Sequence, residues 1–107
     1  MLIHIKNRTG TVNATAEYDS KTGTVTIKKG SLVAKELSNA PTFRGRNSMA
    51  RKREGVVQDG VLIKDMQFSS LSTSATFVVG SNRNGLITWR TSDGKTMAEY
   101  LDGKDDD

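Results

Sequence analysis

The sequence predicts an α+β fold: a small antiparallel sheet built from two β-hairpins, with two short helices packed on it. Three observations predict it. Apolar residues alternate early in the chain, at Val12, Ala14, Ala16 and Tyr18, and again at Val25 and Ile27. Two later segments, 48–59 and 69–79, carry apolar residues at helical spacing and stop at Gly60 and Gly80. Near the end a turn sequence, Ser92-Asp93-Gly94, separates two further extended runs.

The elements follow in order. Side chains of a strand alternate between its faces, so 11–18 and 24–29 read as half-buried strands. The loop between them holds Gly23, which can take the positive φ of a tight turn. Ile3 and Ile5 form a further short strand, and 31–37 a short extended piece. Residues 38–47, SNAPTFRGRN, have no period and hold the single proline, so they read as an exposed loop. In 48–59, Asn47 or Ser48 can cap the first turn and Gly60 can end the helix. Met49, Val56 and Val57 mark its apolar stripe. At the helical angle of 100° per residue, Arg53 falls about 40° from Met49, inside that stripe, and Arg51 falls on the solvent side. Val61, Leu62 and Ile63 form a short buried strand. In 69–79 the many serines lower helix propensity, but Leu71, Ala75, Val78 and Val79 stand at i, i+4, i+7 and i+8. Ser69 or Ser70 is the cap, and a strand of equal length is the competing reading. Leu86–Thr91 and Thr96–Leu101 form the second hairpin. Residues 1–101 make one domain, and 102–107, with four acids in six residues, a disordered tail.

Composition narrows the function. Leu, Ile, Val and Phe number 23 of 107 residues, enough for a thin core. With no cysteine, disulfides, thiolate metal sites and cysteine nucleophiles are excluded. One histidine excludes a His-pair metal site, and His4 lacks the context that would activate any of the serines. No carboxylate pairs have metal-ligand spacing. We therefore expect no enzyme activity, no metal and no cofactor. No apolar run approaches the roughly 18 residues of a membrane span, and the first ten residues lack a signal-peptide pattern. The expectation is a cytoplasmic protein with no membrane partner.

Asp65 to Trp89 reads DMQFSSLSTSATFVVGSNRNGLITW. It resembles the pattern D-x-x-F-S-S-P-S-A-A-A, V-x-G and N-G-x-x-x-W, matched at Asp65, Phe68, Ser69, Ser70, Ser72, Ala75, Gly80, Asn84, Gly85 and Trp89. That pattern marks the domain of unknown function found C-terminal to GIY-YIG nuclease domains, and the related RAMA (restriction enzyme adenine methylase associated) domain. Lys29-Gly30-Ser31, Arg53, Gly60-Val61-Leu62 and Asp93-Gly94 with Met97 resemble the flanking motifs, so the likeness spans about 11–101. Leu71 departs from the pattern's proline, Thr73-Ser74 from its Ala-Ala, and Leu86 from the tryptophan of the RAMA form. The chain has no GIY-YIG domain, so nuclease activity is not implied. The resemblance implies a bacterial or phage-like setting in restriction, modification or repair, with a nuclease or methylase as partner protein.

Charge gives the binding candidates. The net charge is +4, but from Lys28 to Lys64 nine basic residues stand against three acidic ones. Arg44, Arg46, Arg51 and Lys52 cluster across a loop and a helix start, where a phosphate backbone finds both cations and free N–H groups. Arg83, Asn84 and Arg90 flank the Asn84-Gly85 turn and form a second contact, with Gly85 expected at positive φ. Arg53, on the apolar side, is expected to pair with Asp65. Arg53, Asp65, Phe68, Gly80, Gly85 and Trp89 are read as structural, with Trp89 in the core. The expected function is a non-enzymatic module that binds nucleic acid, DNA favoured. The alternative is a protein-interaction adaptor or accessory subunit that binds none itself.

Overall fold

The computed structural model describes residues 1–104. The class is α+β, with a five-stranded antiparallel sheet, a two-stranded one and four short helices among the described residues. The strands β1 (Leu2–Lys6), β2 (Asn13–Asp19) and β3 (Thr24–Ile27) are those that the alternation predicts. They join β6 (Met66–Phe68) and β7 (Arg90–Thr91) in the order β6-β3-β2-β1-β7. Register puts the apolar positions on one face, Leu2 at the exposed start of β1 excepted. Ile3 lies opposite Ala16, which lies opposite Ile27. Tyr18 lies opposite Val25, which lies opposite Phe68. A one-residue slip would turn this whole set to water, so the pattern itself selects the pairing. His4, Thr15, Glu17, Thr26 and Gln67 occupy the other, uncovered face.

The helices are α1 (Arg46–Arg53), α2 (Leu71–Val79), α3 (Gly85–Thr88) and α4 (Met97–Lys104). The helix α2 forms as its capping residues predict. Ser70 accepts a hydrogen bond from the Thr73 N–H, and Gly80 closes the other end at φ 81°. The five residues from Ser74 to Val78 are all buried, so α2 lies inside the molecule rather than along its surface.

Several expectations are corrected. The helix predicted over 48–59 starts two residues early and stops at Arg53, because Gly55 turns the chain at φ 72°. Its N-cap is Gly45, with no side-chain cap from Asn47 or Ser48. Val57–Gln58 (β4) and Val61–Leu62 (β5) then pair through an Asp59-Gly60 turn with φ of 51° and 78°, the geometry of a tight two-residue hairpin. The strand β6 has no counterpart among the expected elements.

The C-terminal hairpin is also corrected: only Arg90–Thr91 is strand, and it pairs with β1, while a single bridge joins Arg90 to Thr96. Thr96 and Glu99 make a reciprocal capping box, each accepting the other's backbone N–H at 3.2 Å, and so start α4. That helix continues through 102–104, which the sequence reading assigns to the tail; 105–107 lie outside the described residues. No helix among the described residues is long and apolar enough to cross a membrane.

Gly85 does not take a positive φ. It opens α3 directly against α2, where an added Cβ would stand 2.2 Å from the Leu71 carbonyl carbon. Gly85→Ala is therefore expected to cost about 3 kcal/mol or more, since backbone must move on both helices; urea denaturation measures it. The Asp93 carboxylate is held below its usual range by the Thr91 hydroxyl, and that of Glu99 by the backbone N–H and hydroxyl of Thr96. Groups depressed in this way stabilise the fold above the unfolded carboxylate range, about pH 4, and lose that contribution as pH falls through their folded values. An Asp93→Asn, Glu99→Gln double variant should show a shallower loss of stability on acidification, followed by thermal melts between about pH 6 and 2.

Candidate nucleic-acid interface

The buried α2 sets the positions of the candidate residues. Its last carbonyls have no partner within the helix. The Gly80 N–H donates to Thr76 O, the Ala34 N–H to Val78 O, and Arg53 to Phe77 O. Arg53 is 8 % exposed, and its Nε and Nη2 donate at 3.2 and 2.7 Å. Its guanidinium also stands 5.5 Å from the Phe77 ring centre. The expected Arg53–Asp65 pair is not formed. Asp65 Oδ1 instead accepts the Lys29 N–H at 2.7 Å and closes the turn after β3. The negative end of the α2 dipole takes the place of a carboxylate. Burial pushes the Arg53 pKa down from its ordinary value.

The other residues read as structural have clear roles. Phe68 is buried and meets Phe77 with ring centres 5.1 Å apart. Trp89 is wholly buried, and its Nε1 donates to Ser74 Oγ at 3.0 Å and to Leu71 O at 3.2 Å. Phe43, which stands beside basic residues in sequence, is 6 % exposed and offers no free face for stacking.

A cleft of about 780 Å³ lies between α1, α2 and the connection from α2 to α3. From α1 it takes Ser48, Met49 and Lys52; from α2, Ser72, Thr73 and Thr76. The connection supplies Asn82, Arg83 and Asn84, and Phe43 and Gly45 complete the wall. No acidic residue lines it. The connection is pinned on both sides. The Arg83 N–H donates to Thr76 Oγ1 at 3.2 Å, and Asn82 Nδ2 donates to Thr42 O at 2.8 Å. The N–H of Gly85 donates to Ser72 Oγ at 3.0 Å. Arg83 is thus presented by a fixed backbone with its side chain in solvent.

The predicted binding residues divide. Lys52, Arg83 and Asn84 share this cleft, although Asn84 spends its Oδ1 on the Leu86 N–H as the cap of α3. Lys52 Nζ also sits 5.6 Å from the Phe68 ring centre. Arg44 and Arg51 are exposed outside it, and Arg51 stands in the last turn of α1, where a cation is favoured. Arg46 is half-buried and donates to Ser38 O at 3.1 Å. Arg90 is not part of this surface. It lies on the uncovered face of the sheet opposite His4 and donates to Gly94 O at 2.8 Å. Among the described residues none of Arg44, Arg46, Arg51, Lys52 or Arg83 lies in an ion pair. Sequence reasoning missed the hydroxyl wall of Ser48, Ser72, Thr73 and Thr76, because it joins helices far apart in the chain.

Residues 3–101 match the family described as a domain of unknown function (DUF4357). No curated protein and no solved structure matches the chain.

Replacing Arg53 strands the Phe77 carbonyl and cuts the tie between α1 and α2. Arg53→Met, which keeps the packing of the stem, should cost about 2–4 kcal/mol, while Asp65→Ala, which removes one exposed hydrogen bond, should cost about 1 kcal/mol. Guanidinium denaturation of both variants separates this geometry from a buried Arg–Asp pair, which would make the two losses similar.

Proposed function

The chain belongs to the DUF4357 family, and from that premise we propose that it is a non-enzymatic nucleic-acid-binding module directed at the phosphate backbone, with DNA the favoured partner. The observation that carries the proposal is the acid-free cleft in which Lys52 and Arg83 face each other's elements across a wall of hydroxyls and amides. Phosphate oxygens accept hydrogen bonds and carry charge, so this surface matches them on both counts. Arg44 and Arg51 widen the basic surface beyond the cleft, and no intramolecular carboxylate neutralises it among the described residues. Contacts of this kind hold and orient a duplex without reading its sequence. Through the resemblance to domains beside GIY-YIG nucleases and to RAMA domains, the module would deliver a nuclease or methylase partner to DNA inside the cytoplasm.

A second reading rests on α3. Leu86 and Ile87 are 39 % and 60 % exposed beside the cleft, an apolar pair that suits a protein partner. In that reading the chain is an adaptor without nucleic-acid binding of its own.

Fluorescence anisotropy with duplex DNA, single-stranded DNA and duplex RNA at two salt concentrations tests the first reading. Duplex binding should weaken steeply with salt. Lys52→Ala with Arg83→Ala should lower both the affinity and the salt slope, the slope by about one for each phosphate that is no longer neutralised. Absence of binding at low salt by the folded protein would sink this reading and leave the adaptor.

A further inference from the structure

Arg83 lines a second cleft on its other side. This one holds about 870 Å³ and is built differently. Its floor is apolar, from Ile5, Val12, Val33 and Val79. Its rim carries three cations, Lys6, Lys35 and Arg83, and two carboxylates, Glu36 and Asp59. Those carboxylates are exposed and make no hydrogen bond or ion pair among the described residues. The size falls within the range of sites that enclose small organic ligands.

We propose that this second cleft receives a single unstacked nucleobase that carries a ring N–H beside an exocyclic amino group, with its 5′-phosphate held on Arg83. The inference rests on the nucleic-acid reading and extends it. The apolar floor takes the hydrophobic ring faces. Glu36 and Asp59 accept from a ring N–H and an amino group, which guanine presents side by side, whereas thymine has a ring N–H between two carbonyls and no amino group. Lys6 and Lys35 offset the two carboxylates, so that the nucleotide's phosphate meets net positive charge. Arg83 belongs to both clefts, so a strand lying along the first would have a phosphate at the entrance to the second. The site is held open by backbone. Gly60 stands where a Cβ would lie 3.0 Å from Val33 O, and the Val33 N–H donates to Gly60 O at 2.7 Å. Asp59 is fixed by its turn at φ 51°, the one non-glycine residue at positive φ among those described.

The test compares three duplexes by anisotropy: fully paired, with one bulged guanine, and with one bulged thymine. The bulged guanine should bind about tenfold more tightly than the paired duplex, and the bulged thymine should show little of that gain. Glu36→Gln with Asp59→Asn should sharply reduce the guanine gain relative to the paired duplex, while paired binding, with two negative charges fewer beside Arg83, should not weaken. Asn tolerates the left-handed backbone that position 59 requires, so the fold is kept. In parallel, guanosine 5′-monophosphate should shift the amide NMR signals of 33–36 and 59–60. Equal affinity for all three duplexes, with paired binding still salt-dependent, would overturn the base pocket and leave the backbone reading intact. Amide shifts with the mononucleotide but no duplex binding would do the reverse, leaving a free-nucleotide site.

Discussion

The structure depends on satisfying the ends of one short buried helix. A nine-residue helix leaves four N–H and four C=O groups without partners inside it, and here water cannot supply them along the buried face. Five of these groups find partners: the Thr73 and Ser74 N–H groups on Ser70, and the carbonyls of Thr76, Phe77 and Val78 on donors outside the helix. Ser70 and Gly80 act locally. Arg53 reaches from α1, and the Ala34 N–H from the connection after β3. At the other end, Trp89 Nε1 donates to Leu71 O and Ser74 Oγ, which are not orphan groups but tie the first turn of α2 to the end of α3. The orphan groups thus determine what docks where, and the cleft surfaces are by-products of that docking. Unpaired buried polar groups would cost more than the bonds return, so this set of bonds acts as a specification of topology rather than as added stability.

That specification explains what the sequence can and cannot disclose. The three-stranded core of the sheet is legible, because alternation at Ile3, Ala14, Ala16, Tyr18, Val25 and Ile27 encodes both strand and face. The helix α2 is legible through its cap and its terminal glycine despite poor propensity. The end of α1 is less so: Val56 and Val57 continue the helical spacing from Met49, but Gly55 breaks the backbone first. The C-terminal hairpin fails where a readable signal is passed over, since Thr96-Met97-Ala98-Glu99 is a capping box. Arg53 is correctly placed inside but given the wrong partner. A side chain–carboxylate pair can be guessed from two residues, whereas a helix carbonyl as acceptor depends on tertiary placement.

The same limit applies to the candidate site. A run of basic residues and the Asn84-Gly85 turn are visible in one dimension, and they lead to four and three candidates respectively. Folding divides them by what else each must do. Arg46 is tied to Ser38 O, Arg90 to Gly94 O on the far face of the sheet, and Asn84 to its own helix. Lys52 and Arg83 remain together because α1 and the α2–α3 connection both attach to α2. Thr76 is the quiet member of this group: buried, and with no signal in the sequence, it fixes the backbone that presents Arg83.

The indole of Trp89 gives this arrangement an optical consequence. It is the chain's single tryptophan, wholly enclosed and hydrogen-bonded to the first turn of α2. Its emission therefore belongs to one place, the junction of α2 with α3, and not to the surface. With the indole shut off from solvent, a change in its emission reports a change in packing at that junction rather than direct contact with anything at the surface.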